Sequence, residues 1–235
     1  MQRKRIHMMM LAGGLLGGML MAMPVMAADP APAAPSAADA EKAAKEKALA
    51  EAKAAAPADG AMLANTCAGC HGTNGVSAGP SMPSIAGMPA KYLEHIMSEF
   101  QSGKRPSTIM GRIAKGYTEE ETKRIAEYLS KAKWQPVKSG PNSLTATKVD
   151  EAKGKKGKKV IESSKCGKCH EDEGVTQDED TPRVAGQWVD YLVIKMQDFK
   201  NEHLSVPQPE KMKKAIDKLS AEELESAAHF YAGQK

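Results

Sequence analysis

Cys67-Ala68-Gly69-Cys70-His71 returns 99 residues later as Cys166-Gly167-Lys168-Cys169-His170, and the match extends well beyond those five positions. At the same offset Pro83 falls on Pro182, Ala86-Gly87 on Ala185-Gly186, Tyr92-Leu93 on Tyr191-Leu192, Met97 on Met196 and Phe100 on Phe199. An insertion of three residues then moves the offset to 102, where Met110 falls on Met212, Thr118-Glu119-Glu120 on Ser220-Ala221-Glu222 and Ala126 on Ala228. Repetition of this kind means one supersecondary module used twice. Each copy has about 75 to 80 residues, too few for a generous core of its own.

The residues before the repeat carry no fold. Residues 1–27 pair Arg3, Lys4 and Arg5 with an almost uncharged run from Met8 to Met26, then Val25-Met26-Ala27 with small residues where a signal peptidase reads, and are expected to be a secretory signal. The apolar run from Met8 to Met23 is short and Gly-rich for a stable membrane span, so no span is expected after cleavage. Without those three cations the chain holds 30 basic against 29 acidic residues, which removes any electrostatic ground for nucleic-acid binding. Residues 28–57 contain 15 alanines among 30 residues and a single Leu, so they form a spacer, extended at Pro30, Pro32 and Pro35 and helix-prone from Asp39 to Ala56, with no apolar stripe to dock it.

The expected order is therefore signal 1–27, spacer 28–57, first module 58–136, linker 137–156 and second module 157–235. The linker lies in a stretch from Pro136 to Lys159 rich in Lys, Gly, Ser and Pro. Within each module a short helix carries Met62 and Leu63, or Val160 and Ile161, into the cysteine pair. Helices over 90–101 and 188–200 place Leu93, Met97 and Phe100, or Leu192, Met196 and Phe199, on one face. A last helix opens with a capping box, Thr118-x-x-Glu121 or Ser220-x-x-Glu223, and turns Ile125 and Leu129, or Leu224 and Ala228, inward. No segment alternates convincingly as a strand would, which predicts an all-α fold.

Four cysteines in an exported chain ordinarily read as disulfides, but a two-residue gap closes only a small redox-active ring, and each pair here is followed at once by His. A zinc site would want both pairs about 15 to 20 residues apart, against 99 here. C-x-x-C-H marks covalent haem attachment, two thiols adding across the porphyrin vinyl groups while the imidazole meets the iron from one side. The expectation is two haem c, held by Cys67, Cys70, Cys166 and Cys169, with His71 and His170 as proximal ligands. Two methionine pairs repeat as candidates for the opposite face. Met97 and Met196 share the helical stripe of Leu93, Phe100 and their equivalents, which reads as core. Met110 and Met212 follow the loops at Pro106 and Pro209, where the chain would cross the other haem face, and are the expected axial ligands. His95, His203 and His229 occupy no repeated position. A thioether opposite imidazole suits electron transfer better than oxygen or peroxide activation. Pro83 and Pro182 are candidates to accept the Nδ1–H of the two histidines.

Two such modules in tandem resemble the soluble dihaem cytochromes of the c-four type, and more closely the dihaem cytochrome subunit of flavocytochrome c sulfide dehydrogenase. The resemblance rests on Cys67 to Thr73, on Gly79-Pro80 with Pro83-Ser84-Ile85-Ala86, and above all on Ser107-Thr108-Ile109-Met110-Gly111-Arg112-Ile113-Ala114-Lys115-Gly116-Tyr117. Ala185-Gly186-Gln187-Trp188 with Tyr191-Leu192 continues it. It covers residue 58 to the C-terminus, and the acidic stretch Glu171 to Asp180 departs from it. The resemblance implies two class I-like cytochrome c modules in the periplasm, reached through the Sec pathway. It implies a partner flavoprotein that oxidises sulfide at FAD, and a downstream acceptor such as a small cytochrome. This chain has no Gly-x-Gly-x-x-Gly after a strand, so FAD is expected only in the partner, and the chain is not expected to be catalytic alone. The alternatives are a free dihaem shuttle feeding a terminal oxidase or reductase, and a dihaem peroxidase, which the two repeated methionines disfavour. The acidic stretch 171–180 and the seven lysines between Lys138 and Lys159 read as solvated surface, with a docking role as the sharper alternative.

Because residues 28–57 supply neither core nor ligand, a chain shortened to start near Ala58 behind a fresh signal peptide is expected to incorporate two haems with unchanged optical spectra. Loss of either haem from the shortened chain would show that the segment packs on the modules.

Overall fold

The computed structural model describes residues 36–55, 59–136 and 146–235. The expected signal, the proline-containing start of the spacer and residues 137–145 of the linker lie outside the described residues. The described residues divide into two units, one ending at residue 51 and one from 52 to 235. Ser36 opens helix α1 (Ala37–Ala55), with its hydroxyl accepting the Asp39 N–H at 3.2 Å. Every described side chain of this helix is exposed, as expected of an Ala/Lys/Glu helix without an apolar stripe.

The second unit holds both repeats, and among the described residues it is helical without strands. The first repeat runs α2 (Gly60–Asn65), α3 (Ala68–His71), α4 (Ala90–Ser102), α5 (Met110–Ile113) and α6 (Glu119–Ser130). The second runs α7 (Glu151–Ser163), α8 (Glu171–Gly174), α9 (Val189–Lys200), α10 (Glu210–Asp217) and α11 (Ala221–Ala232). Both expected capping boxes form: Thr118 with Glu121 and Ser220 with Glu223 each exchange side-chain and backbone bonds. Of the expected inward positions, Ile125, Leu129, Leu192, Leu224 and Ala228 are buried, while Leu93, Met97, Phe100, Met196 and Phe199 are half-buried.

Within each module the first helix crosses the last, α2 on α6 and α7 on α11. Both crossings run over a glycine. A β-carbon at Gly60 would stand 2.6 Å from the Arg124 carbonyl oxygen, and one at Gly157 would stand 2.0 Å from that of Ser226. Helix α7 begins at Glu151, within the stretch read as linker. Asp150 caps it by accepting from the N–H groups of Ala152 and Lys153, Lys153 pairs with Glu225 at 2.6 Å, and the Asp150 N–H donates to Nδ1 of buried His229 at 3.1 Å. Just ahead of it, Thr147 bonds the carboxylate of Asp190.

The repeat offsets reappear as hydrogen bonds. Gly87 N–H donates to Leu129 O at 2.8 Å and Gly186 N–H to Tyr231 O at 2.9 Å, joining the loop before the middle helix to the closing helix in both copies. Gly75 O accepts from Ile85 and Ala86, and Gly174 O accepts from Val184 and Ala185.

Polar contacts join the modules. Arg105 pairs with Glu99 at 2.8 Å, both nearly buried, and reaches Pro207 O of the second module at 3.2 Å. Gln177 Nε2 donates to Gly87 O at 2.7 Å, the Arg183 guanidinium lies 5.2 Å from the Trp134 ring centroid, and Gln187 pairs with Ser84.

Gly157→Ala should force α7 and α11 apart at a backbone contact no rotamer can relieve. A loss of about 1–3 kcal/mol, read as a lower unfolding midpoint in denaturant, is expected, whereas Gly167→Ala, which would meet nothing within 4 Å, should be near neutral.

Candidate haem sites

Each site is built at the end of the module's opening helix. In the first, Asp59 caps α2 by accepting from Met62 N–H at 2.7 Å, and the backbone continues turning so that Cys67 N–H reaches Ala64 O at 3.0 Å. His71 N–H then bonds Cys67 O at 2.9 Å, and one helical turn places thiols and imidazole on a single local scaffold. Cys67 is half-buried and burial pushes its thiol pKa up, while Cys70 is exposed. Neither is in a disulfide.

The His71 ring is 8% exposed, and Nδ1 lies 2.8 Å from Pro83 O, the expected partner. A carbonyl only accepts, so Nδ1 carries the proton and Nε2 keeps its lone pair for a metal. Burial lowers the imidazole pKa and the Pro83 bond opposes this, which leaves the ring neutral and ligand-competent near neutral pH. Gly72 follows at φ +73°, where a β-carbon would lie 1.8 Å from Val76 O. Only glycine makes that turn back toward Pro83.

The second motif shares the first's scaffold bond, His170 N–H to Cys166 O at 3.0 Å, with Cys166 half-buried and Cys169 exposed. Beyond the histidine the two part. Glu171 stands where the first module has Gly72, and the positive φ moves one position on to Asp172 (φ 48°), while Glu173 (φ 52°) matches Asn74 (φ 54°) of the first module. The expectation for Pro182 is not met: His170 Nδ1 is buried without a hydrogen-bond partner. The reason is the missing glycine, which in the first module lets the chain double back at once. His170 instead packs edge-on against Tyr231, centroids 6.0 Å apart, and burial pushes its pKa down against the pull of Asp178.

Met110 opens α5, and its N–H is held by Ser107 Oγ at 2.9 Å, with the half-exposed Ile109 and Ile113 beside it. Gln101 Nε2 ties down the far end of this loop by donating to Ala114 O and Tyr117 O, and Tyr117 Oη meets Thr66 Oγ1 at 2.5 Å, next to Cys67. The methionine loop is thus anchored to the helix that carries the cysteines. Met212 lies on α10 and packs with Val160, Met196 and Phe199 on the cluster of Ile216, Leu219 and Leu224. Met196 reaches a second core cluster as well, in keeping with its reading as core. Met97 is half-buried on α4. The structure thus brings both second-module methionines to one cluster. His229 uses Nδ1 on Asp150, His95 is exposed beside Glu99, and His203 is exposed.

Sequence reasoning missed Tyr231 and the Gln187–Ser84 pairing. Tyr231 has Leu129 at its repeat position, so no pattern marked it, whereas Gln187 stood in a quoted motif without a role. Among the described residues no three His, Cys, Asp or Glu side chains converge to hold a metal ion by themselves. The residues fit a porphyrin-borne iron instead. Each motif offers two cysteines outside any disulfide and an imidazole, buried in His71 and half-buried in His170. A β-carbon at Gly69, Gly167 or Gly111 would meet nothing within 4 Å, and buried donors at Trp188 Nε1 and Tyr231 Oη lack protein partners. No described helix is long and apolar enough to cross a membrane.

The cytochrome c family model matches residues 57–133. The cytochrome subunit of sulfide dehydrogenase from Chlorobaculum tepidum is 52% identical over 69 residues, covering 29% of this chain and 62% of that one. Cytochrome c-554(548) from Halomonas halodenitrificans is 34% identical over 76 residues, spanning 31% of this chain and 92% of its own length. Reduced cytochrome c4 from Pseudomonas stutzeri shares the fold, with a TM-score of 0.64 at 22% identity over 75% of this chain and 97% of that one. The cofactor is covalently bound haem c, and the two C-x-x-C-H motifs are consistent with two haems. The chain belongs to the cytochrome c family, as a dihaem electron-transfer cytochrome.

Proposed function

We propose that this chain is the exported, periplasmic electron-accepting subunit of a sulfide-oxidising dehydrogenase. It would take electrons from an FAD-containing partner and pass them to a downstream acceptor such as a small cytochrome. The observation that carries this reading is the 52% identity to a sulfide dehydrogenase cytochrome subunit. Haem iron, once bound, supplies reversible one-electron exchange between the ferric and ferrous states.

The chain's residues supply attachment, ligation and position. Cys67, Cys70, Cys166 and Cys169 would hold the porphyrins and His71 and His170 would ligate the irons, His71 through Nε2. Met110 and Met212, at matching places in the two repeats, would supply the remaining ligands. With all four thiols bound to haem the chain would have no nucleophile to form a persulfide, and with both irons fully ligated sulfide would find no place to react. Electrons must therefore arrive from another redox centre, with this protein setting position and potential. The first module, which carries the Met110 stretch, is the proposed flavin-facing one.

Met110→Ala and Met212→Ala should each remove half of the far-red sulfur-to-iron charge-transfer absorption and lower one haem's potential, since the thioether favours the ferrous state. The same loss from Met97→Ala or Met196→Ala would transfer the ligand role to that pair.

Sulfide is expected to reduce the isolated chain slowly and without saturation, and addition of the exported flavoprotein should make reduction fast and saturable in stopped-flow absorbance. Rapid saturable reduction of the chain alone, or co-purification with an oxidase and no flavoprotein, would favour the free shuttle.

A further inference from the structure

The peptide unit between Pro83 and Ser84 is held at both ends. Its carbonyl oxygen accepts Nδ1–H of His71 at 2.8 Å, and its N–H donates to Oε1 of Gln187, a residue of the other module, at 3.0 Å. Gln187 Nε2 donates in turn to Ser84 O at 3.0 Å, so one side-chain amide pairs with both backbone groups of Ser84. Ser84 is fully buried and Gln187 is 2% exposed, which keeps water from competing. Ser77 N–H fixes the Ser84 hydroxyl, and Trp188 N–H fixes Gln187 Oε1 at the start of α9.

Amide resonance couples the two ends of a peptide, and a chain of hydrogen bonds in a dry interior polarises each member. Donation from Ser84 N–H to Gln187 therefore makes Pro83 O the stronger acceptor. A stronger acceptor on the outer imidazole N–H fixes the ring and raises the basicity of the nitrogen that faces the metal.

We propose that Gln187 of the second module is a positioning residue for His71 of the first. It acts through the Pro83–Ser84 peptide to hold the imidazole and raise its basicity toward the haem iron. This rests on His71 being the iron ligand. The device runs one way. At the repeat offset Gln187 corresponds to Met88, which has no amide, Ser84 corresponds to Arg183, and His170 Nδ1 has no partner at all. A more basic ligand favours the ferric state, so the second module lowers the potential of the first haem and receives no such contact in return.

The test is Gln187→Met in the full-length dihaem protein, with a redox titration that follows the hyperfine-shifted haem methyl resonances of each haem separately. The first haem's midpoint should rise while the second stays in place and both haems are retained. Gln177→Met breaks a different inter-module bond, the one to Gly87 O, and should leave the first midpoint unchanged. An unmoved first midpoint in Gln187→Met overturns the proposal. So does an equal rise in Gln177→Met, since the effect would then be general loosening of the interface. If Gln187→Met does not fold, the unaltered protein decides. Its Ser84 amide proton should resist exchange and shift between the oxidised and reduced states, and free exchange there overturns the proposal. Failure of the ligand assignment is separately visible, because an uncoordinated His71 would show no hyperfine-shifted ring protons before any variant is made.

Discussion

At Gly157 a β-carbon would stand 2.0 Å from the carbonyl oxygen of Ser226, so α7 reaches α11 at backbone contact only because nothing projects from that position. Gly60 does the same for α2 against α6. This close crossing sets the place of everything that follows in the chain. The opening helix leads into the cysteine pair, directly through Thr66 in the first module and through the left-handed Lys165 (φ 59°) in the second, so the depth at which it seats on the closing helix sets where thiols and imidazole stand. The loop that returns from the motif is then pinned to the same closing helix by the Gly87 and Gly186 N–H groups. A module of this size has little apolar surface to spend. Backbone-to-backbone approach at a glycine gives it dispersion contact without the volume of side chains it lacks.

The two modules keep this frame and differ at the turn after the histidine. Gly72 lets the first chain fold back so that Pro83 O meets His71, whereas Glu171 cannot adopt that backbone without strain, and the reversal is displaced along the chain. Asp172 and Glu173 occupy left-handed geometry as non-glycine residues, a cost the first module shares only at Asn74. The proximal histidines therefore sit in different electrostatic surroundings. His71 has a fixed tautomer and a polarised acceptor. His170 has an aromatic edge and an unmatched Nδ1.

Much of the frame was legible in the sequence because it is repeated or capped. The offsets of 99 and 102 return as paired hydrogen bonds, and both capping boxes form where Ser/Thr and Glu stand three apart. The start of α7 was not legible, since Lys and Gly dominate 153–159 and mimic a linker. What makes that segment helical is the local Asp150 cap together with two tertiary contacts, the Lys153–Glu225 pair and the glycine that admits α11. The Pro182 expectation failed for a related reason. A proline at the matching offset does not bring its carbonyl to the histidine when the turn between them lacks the glycine. Gln187 was visible as part of a motif, but its partner lies 103 residues away in the other module, beyond any local pattern.

The interface between modules is built of polar contacts that each work in one arrangement only. A buried pair such as Glu99–Arg105 adds little over apolar packing of the same volume, because desolvation offsets most of the Coulomb attraction. Its guanidinium, however, also reaches Pro207 O, in the loop that leads to Met212, and that contact fails if the modules slip. Gln187 on Ser84 and Gln177 on Gly87 impose the same condition at other points. Each of these groups is costly to leave unmatched in a buried setting. An apolar interface would tolerate sliding, whereas this one holds a single register. For two redox centres carried on separate modules, a fixed register keeps their separation fixed. It also keeps the second module's amide on the peptide that backs the first module's histidine.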